Sequence, residues 1–352
     1  MNPGRRRLLI PGLLIALLIV VVLAAAVRRG GAEATPLPIV PHTQVSVIND
    51  PRITESSGLA VSQAHPGIAY TVNDSGDDSR VFAVEIQTGR VVGVTSVVNA
   101  KWQDAEAIAL WGGKLWVADI GNNSLARRDR ALYVFDEPGA GDHRVTSTRY
   151  PVPFEGLPVD VEAMVIVPGV IHFFSKTWPA GYLYSVDGDL GTDQPNVARP
   201  IGPAAPPYAT DATVTPDGRF VLVRGPVTVE VRDASTWALR HTDVIPALEQ
   251  GEALAMESSG RSYLIGSEGP DSPLVRIAFD PSTFSPTPVP PIDPQRLADQ
   301  LEAERPVRSF LWAHRMGIVL GVVLGGCGLA ATVLVWRILR HRRNEVAGHD
   351  GA

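Results

Sequence analysis

The sequence predicts an all-β protein, a β-propeller of five four-stranded blades, on two observations. Five short apolar strands each open with a polar or acidic residue, and these openings are 49, 56, 49 and 41 residues apart. Each opening is followed by a turn and then by a second apolar strand. Repeats of roughly 40–50 residues in a strand-rich chain are typical of propeller blades, which bury their faces by stacking on neighbouring blades. The openings are Ser57, Glu106, Glu162, Asp211 and Glu252.

The remainder of each repeat also fits antiparallel strands. Gly112–Gly113 and Pro216–Gly218 separate first from second strands and have the residue types of tight hairpin turns. A third strand, such as Leu132–Phe135, is rich in the aromatic and β-branched residues that suit a pleated sheet. A fourth strand, such as Arg90–Val98, follows after another turn. Each repeat therefore predicts one blade.

The fifth repeat has a weak fourth strand, because prolines, which cannot donate to a strand ladder, crowd its place. These are Pro286, Pro288, Pro290 and Pro291. An unassigned strand, Gln44–Ile48, precedes the first repeat. We expect it to supply the missing outer strand, so that both ends of the repeat region share one blade. A sixth blade between Leu183 and Asp211 is the alternative.

Two charge-free apolar runs flank the repeats. Residues 8–27 and 316–336 are each about 20 residues long, enough to cross a hydrocarbon core of ~30 Å as a helix. Arginines precede the first run and follow the second, so the positive-inside rule predicts cytoplasmic termini and an extracytoplasmic propeller at the cell membrane. The alternative for the first run is a cleaved signal peptide, with small residues at 24–26.

These features divide the chain into six predicted segments. Residues 1–29 form a cytoplasmic start and an N-terminal anchor or signal, residues 30–42 a proline-rich linker, and residues 43–290 the propeller. Residues 291–314 form a linker with a short juxtamembrane helix, residues 315–338 a C-terminal transmembrane helix, and residues 339–352 a basic cytoplasmic tail. Proline-rich linkers are extended and semi-rigid, so we expect the propeller to be held near the bilayer.

Charge and cysteine content narrow the classes of partner. Between residues 30 and 309 the chain carries 21 Lys and Arg against 35 Asp and Glu, a formal net charge of −14. This balance argues against a nucleic-acid or anionic-lipid surface and is compatible with calcium or cationic ligands. The single cysteine, Cys327, lies inside the second run, which excludes an intrachain disulfide. Arginine far exceeds lysine, which indicates a GC-rich, actinobacterial source.

Propeller geometry brings distant residues together. The innermost strand of every blade lines the central channel, so Glu106, Glu162, Asp211 and Glu252 would share one ring and are the candidate metal ligands, calcium being the possible ion. Asp104 and Asp160 stand two residues before the first two of these acids. In the alternative interpretation, the acids accept hydrogen bonds from backbone N–H groups of neighbouring blades.

The second strands run antiparallel to the first and end on the same face. Their terminal residues are candidate channel and ligand-binding residues: Asp74, Asp119, Lys176, Arg224 and Glu268. No catalytic residue is predicted, because the sequence has no G-x-S-x-G, H-E-x-x-H, C-x-x-C, Walker or dinucleotide-binding motif.

Five segments of the sequence resemble a group of exported, membrane-anchored actinobacterial β-propeller proteins, described as WD40-like, TolB-like or esterase- and phytase-like repeat proteins. The segments are Asn73–Asp77, Trp102–Ile108, Leu115–Asn123, Asp160–Met164 and Gly251–Ala255. The resemblance covers most of residues 51–279 and neither apolar run. It implies the fold and export, but no particular activity. Similarity to calcium-dependent lactonases and phytases implies channel ligands at the four acids of the ring.

Three functions fit these predictions. The first is a membrane-anchored binding module for a ligand or protein at the cell surface, and the second is a divalent-metal-dependent esterase, lactonase or phytase-like hydrolase. The third is a scaffold in an envelope assembly. Gly317, Gly321 and Gly325 recur on one face of the second apolar run, and small residues let membrane helices pack closely, so self-association through this face is a further prediction.

Overall fold

The computed structural model describes residues 39–186 and 189–284, and this part of the chain is built from β-strands. Its sheets form a five-bladed propeller, in which the innermost strands contact one another in order and the last contacts the first. The five-blade prediction is confirmed. The two apolar runs, both linkers and the predicted juxtamembrane helix lie almost entirely outside the described residues. Within those residues, no helix has the length and apolar character needed to cross a membrane.

The strands follow the predicted order around the ring. Strand β1 (His42–Ile48) precedes a first blade of β2 (Ser56–Val61), β3 (Ile68–Asn73), β4 (Arg80–Glu85) and β5 (Val91–Val97). The second blade contains β6 (Ala105–Trp111), β7 (Lys114–Asp119) and β8 (Ala131–Asp136), and, after the short β9 (His143–Val145), β10 (Thr148–Pro151). The third contains β11 (Val161–Val167), β12 (Val170–Ser175), β13 (Gly181–Val186) and β14 (Arg199–Ala205).

The last two blades complete the ring. The fourth contains β15 (Asp211–Val214), β16 (Phe220–Arg224), β17 (Thr228–Asp233) and β18 (Leu239–Val244). The fifth contains β19 (Leu254–Met256), β20 (Ser262–Ile265), β21 (Ser272–Ala278) and β1, followed by a short 3-10 helix (Pro281–Thr283). The stretch proposed as an alternative sixth blade instead supplies β14, the outer strand of the third blade.

Strand β1 closes the ring, as the sequence predicted. It pairs antiparallel with β21, with His42 opposite Ile277 and Ile48 opposite Ser272. The fifth blade therefore combines the two ends of the repeat region, which were expected to share it. In the absence of a disulfide, this pairing ties the first blade to the last.

The first blade has one addition that the repeat pattern did not predict. Strand β9 lies in the second repeat but pairs parallel with β5, along Thr95–Val97. Gly93 allows this approach, because a Cβ on it would collide with the Gly141 carbonyl. Gly141 itself has a φ of 96°, a conformation that glycine adopts without steric cost. The outer edge of this blade is thus extended by a loop from its neighbour.

The hydrophobic core lies between the blades. Alternate residues of a strand point to opposite faces of its sheet, so each strand can contact both neighbouring blades. Tyr70 of β3 packs in a cluster with Leu115 of the second blade, whereas Ala69 packs in a cluster with Leu264 of the fifth. Burying a large apolar side chain stabilises the fold by about 1.5–3 kcal/mol. Middle strands buried on both faces therefore hold the ring together.

Candidate functional site

Glu106 and Glu162 lie at equivalent irregularities in strand pairing, in the innermost strands of the second and third blades. Ala105 pairs with Asp119 and Ala107 with Ala118, so Glu106 is an extra residue in its strand. Glu162 is likewise extra in the third blade, between pairs made by Val161 and Ala163. Such β-bulges locally bend a strand and redirect a side chain. Both glutamates are buried, with 2% and 3% of their surface exposed.

Six carboxylates and one ammonium group from four blades meet at the end of the channel where the innermost strands begin. We call this group the acid mouth. Its members are Asp74, Asp104, Glu106, Glu162, Lys176, Glu252 and Glu268. Six of them were predicted as candidate site residues, and Asp104 was noted beside the predicted ring. The channel behind the mouth is lined mainly by aliphatic residues, together with Gln63 and Thr213, and has a cavity of about 90 Å³, far below the usual size of a ligand pocket.

Asp74, Asp104 and Glu106 form the tightest part of the acid mouth. One carboxylate oxygen from each lies within 4.8 Å of the others. The Ser57 hydroxyl donates to Glu106 Oε2 at 3.2 Å and to the Glu106 carbonyl at 3.0 Å. Gly121 leaves space beside the group, because a Cβ there would collide with the Asp104 and Glu106 carboxylates. The three acids thus share one compact oxygen-lined space.

The proximity of these acids changes their protonation. Burial, a hydrogen bond to Asp104 and nearby negative charge raise the pKa of Asp74 to about 8. Burial also raises the pKa of Asp104 and, together with the charge of Glu162, raises that of Glu106 well above the ordinary range. A hydrogen bond between two carboxyl groups requires a proton. Asp74 and Asp104 therefore hold one proton between them near neutral pH.

Lys176 occupies the other side of the acid mouth. Its Nζ lies 3.0 Å from Glu162 Oε2 and 3.3 Å from Glu252 Oε1. Burial opposes the lysine charge, but the two glutamates raise the Lys176 pKa above its ordinary value. Burial raises the pKa of Glu162 to about 8, although the ammonium lowers it. Burial and the charge of Glu252 raise that of Glu268 to about 7.

The acid mouth contains more negative charge than its neighbours neutralise. Three carboxylate oxygens have no hydrogen-bond partner among the described residues: Asp74 Oδ1, Glu162 Oε1 and Glu252 Oε2. Arg127 approaches the group but forms an ion pair with Asp119 at 2.7 Å. Unpartnered buried carboxylates are costly unless they bind a proton or a cation. The arrangement can therefore hold protons or exchange them for a positively charged ligand.

Asp119, a predicted ligand-binding residue, lies behind the acid mouth. It has 2% of its surface exposed and accepts hydrogen bonds from the backbone N–H groups of Asp104 at 2.9 Å and Gln103 at 3.2 Å. With its ion pair to Arg127, these contacts position the loop that carries Asp104. Asp119 thus supports a member of the mouth from the interior.

Asp211 and Arg224, the two remaining candidates, are also fully buried. Asp211 Oδ2 accepts hydrogen bonds from the N–H groups of Leu254 at 2.7 Å and Leu59 at 3.2 Å, in the fifth and first blades. Arg224 Nη1 donates to the carbonyl of Ala253 at 2.6 Å. Burial raises the pKa of Asp211 and lowers that of Arg224 to about 10. Both residues therefore contact the neighbouring fifth blade, and Asp211 also contacts the first blade across the channel. For Asp211 this is the hydrogen-bonding alternative that the sequence left open for the ring.

Sequence reasoning did not connect two residues with the site. Gly121 and Arg127 lie in the connection after β7, and Gly121 belongs to the Asp119–Asn123 cluster of that connection. The glycine provides space for the carboxylates, and the arginine neutralises Asp119. The residue types in this turn were visible in the sequence, but their contact with the second-blade acids depends on the tertiary fold.

Comparison with known proteins does not assign the chain to a family. No protein-family model matches the chain, and no curated protein matches it significantly. The five-bladed fold is shown by the structure itself, and the resemblance to exported actinobacterial propellers stays a prediction.

Proposed function

We propose that the protein is a binding module whose acid mouth takes up a cation on the extracytoplasmic side of a membrane. The observation that carries this proposal is the excess of carboxylates over cations in the acid mouth, together with its unpartnered oxygens. Extracytoplasmic placement is supported by the two charge-free runs and their flanking arginines.

Calcium fits the dimensions of the acid mouth. Calcium–oxygen distances are about 2.3–2.6 Å, so two ligands of one ion lie at most about 5 Å apart. The oxygens of Asp74, Asp104 and Glu106 are within 4.8 Å of one another. A bound cation would replace the protons that these carboxyl groups retain, because it favours their ionised forms. Binding would therefore release protons near neutral pH.

A thermal melt of the full-length protein in detergent tests this proposal. Calcium binds only the folded acid mouth, so it should raise the melting temperature, with about 2.7 kcal/mol of added stability at a hundred times Kd. Glu106→Gln should remove most of this increase. The matched control is Glu155→Gln, at a half-exposed carboxylate paired with Arg199 outside the mouth. Equal melting temperatures with calcium and with chelator would contradict calcium binding.

A metal-dependent hydrolase is the second candidate, and solvent access to the acid mouth favours it. Lys176 has 29% of its side chain exposed and lies beside the carboxylates. A bound divalent ion can polarise a carbonyl or phosphoryl group and activate a water molecule. The test is hydrolysis of an aryl ester, a lactone and an aryl phosphate with calcium or with chelator. Calcium-dependent turnover lost in Glu106→Gln would support catalysis, and no turnover beyond the protein-free rate would exclude it for these substrates.

A further inference from the structure

Two exposed aromatic side chains stack on the face of the propeller that carries the acid mouth. The rings of Trp178 and Tyr208 lie 5.9 Å apart at an interplanar angle of 27°. Their exposed fractions are 70% and 45%. Trp178 lies in the connection between β12 and β13, and Tyr208 lies in that between β14 and β15, at the end where the innermost strands begin. We call them the aromatic pair.

The aromatic pair is close to the acid mouth in the chain. Trp178 follows Lys176 by two residues, so their Cα atoms are separated by at most about 7 Å. Lys176 itself contacts Glu162 and Glu252. The aromatic pair therefore lies beside Lys176 in the chain, on the face that carries the acid mouth.

The backbone holds the aromatic pair in place at a conformational cost. Tyr208 has a φ of 53°, in the left-handed region that bulky residues rarely adopt. Its N–H donates to the Thr177 carbonyl at 3.1 Å, and the Thr177 hydroxyl donates to the Ala180 carbonyl at 2.8 Å. Backbone strain of this kind concentrates at binding sites and is stabilised by the surrounding structure. Exposed aromatic surface held in this way is typical of a ligand contact.

Charge selects the class of ligand. The faces of aromatic rings attract ammonium groups, particularly alkylated ones, and the excess carboxylates of the acid mouth attract positive charge. A neutral sugar could stack on the rings but would leave the carboxylates without a counter-charge. The two features together therefore favour an organic cation with an apolar part.

We propose that the acid mouth also accepts an alkylated ammonium ion, with its charge facing the carboxylates and its alkyl groups contacting the aromatic pair. This inference rests on the proposed function, because it uses the same site. It adds a chemical class of ligand and a second contact surface.

Calorimetric titration of the full-length protein in detergent with choline tests this proposal. The comparison ligand is its uncharged analogue, in which carbon replaces nitrogen. Choline should bind, and the analogue should bind roughly tenfold more weakly. Trp178→Ala should weaken choline binding by roughly tenfold. Trp111→Ala is the matched control, since Trp111 is 43% exposed at the opposite end of its blade, and it should leave binding unchanged.

Several outcomes would overturn the inference. These are equal binding of the two ligands, no choline binding at millimolar concentrations, or equal effects of the two tryptophan substitutions. Choline binding that is unchanged in Glu106→Gln would also overturn the inference, because it would show that choline binds outside the acid mouth. The calcium melt separates this failure from that of the proposed function. If calcium still stabilises the protein in a Glu106-dependent manner but choline does not bind, only the ammonium inference fails.

Discussion

The unfolding free energy of the propeller should fall as the pH rises from about 5 to about 8. Burial raises the pKa of Asp74 and Glu162 to about 8 and that of Glu268 to about 7. In an unfolded chain such groups titrate near pH 4, so within this window the folded state binds more protons than the unfolded state. Raising the pH therefore removes protons from the folded state and destabilises it.

Each buried acid with a raised pKa adds to this slope, so Glu106 and Asp211 add to the contribution of these three groups. One fully shifted acid changes the unfolding free energy by about 1.4 kcal/mol per pH unit. Among the three groups, Glu162 is 3% exposed and contributes the most, although Lys176 stabilises its ionised form. Asp74 and Glu268 are partly exposed, and solvent screening reduces their contributions. We expect the three groups together to contribute on the order of 1–2 kcal/mol per pH unit.

Denaturant unfolding of the full-length protein at several pH values, in calcium-free buffer, measures the slope. Glu162→Gln should reduce it, whereas Glu155→Gln, outside the acid mouth, should leave it unchanged. Calcium should also reduce it, because the ion replaces the retained protons. An unfolding free energy that stays constant or rises between about pH 5 and about pH 8 would refute the assigned protonation of the acid mouth.

Three further predictions concern the frame and its placement. Asp211→Ala should lower the unfolding free energy by about 3 kcal/mol or more in a denaturant titration, because it leaves two buried N–H groups without acceptors. Its control is Asp217→Ala, at an exposed turn, which should lower the unfolding free energy by less than about 1 kcal/mol. Gly89→Ala should lower the melting temperature well below that of Gly76→Ala. Both glycines have a positive φ, but only a Cβ at Gly89 would collide with the Val47 carbonyl of β1. Equal shifts in melting temperature would contradict the tight packing against β1. Protease added to intact spheroplasts should remove the propeller and leave two small protected fragments; recovery of the C-terminal fragment alone would show a cleaved signal peptide.

The sequence was sufficient to predict the architecture. Repeated strand openings, short apolar strands and glycine turns are local features, and their spacing led to five blades. The closing strand was predictable because Gln44–Ile48 had no partner in its own repeat, while prolines occupied the last strand of the fifth. The membrane runs and their orientation also follow from local composition, and they stay predictions because they lie outside the described residues.

The tertiary structure decided which of the predicted acids share the acid mouth. Glu106 and Glu162 enter it from β-bulges, and a bulge depends on register with a partner strand rather than on residue type. Asp211 has the same sequence context as these glutamates, but its side chain is shorter. In the narrow channel it accepts hydrogen bonds from backbone N–H groups of two other blades. The stacking of Trp178 on Tyr208 joins residues 30 positions apart. Local sequence determined the blades, whereas register, burial and contacts between blades determined the site, because these arise only when the ring closes.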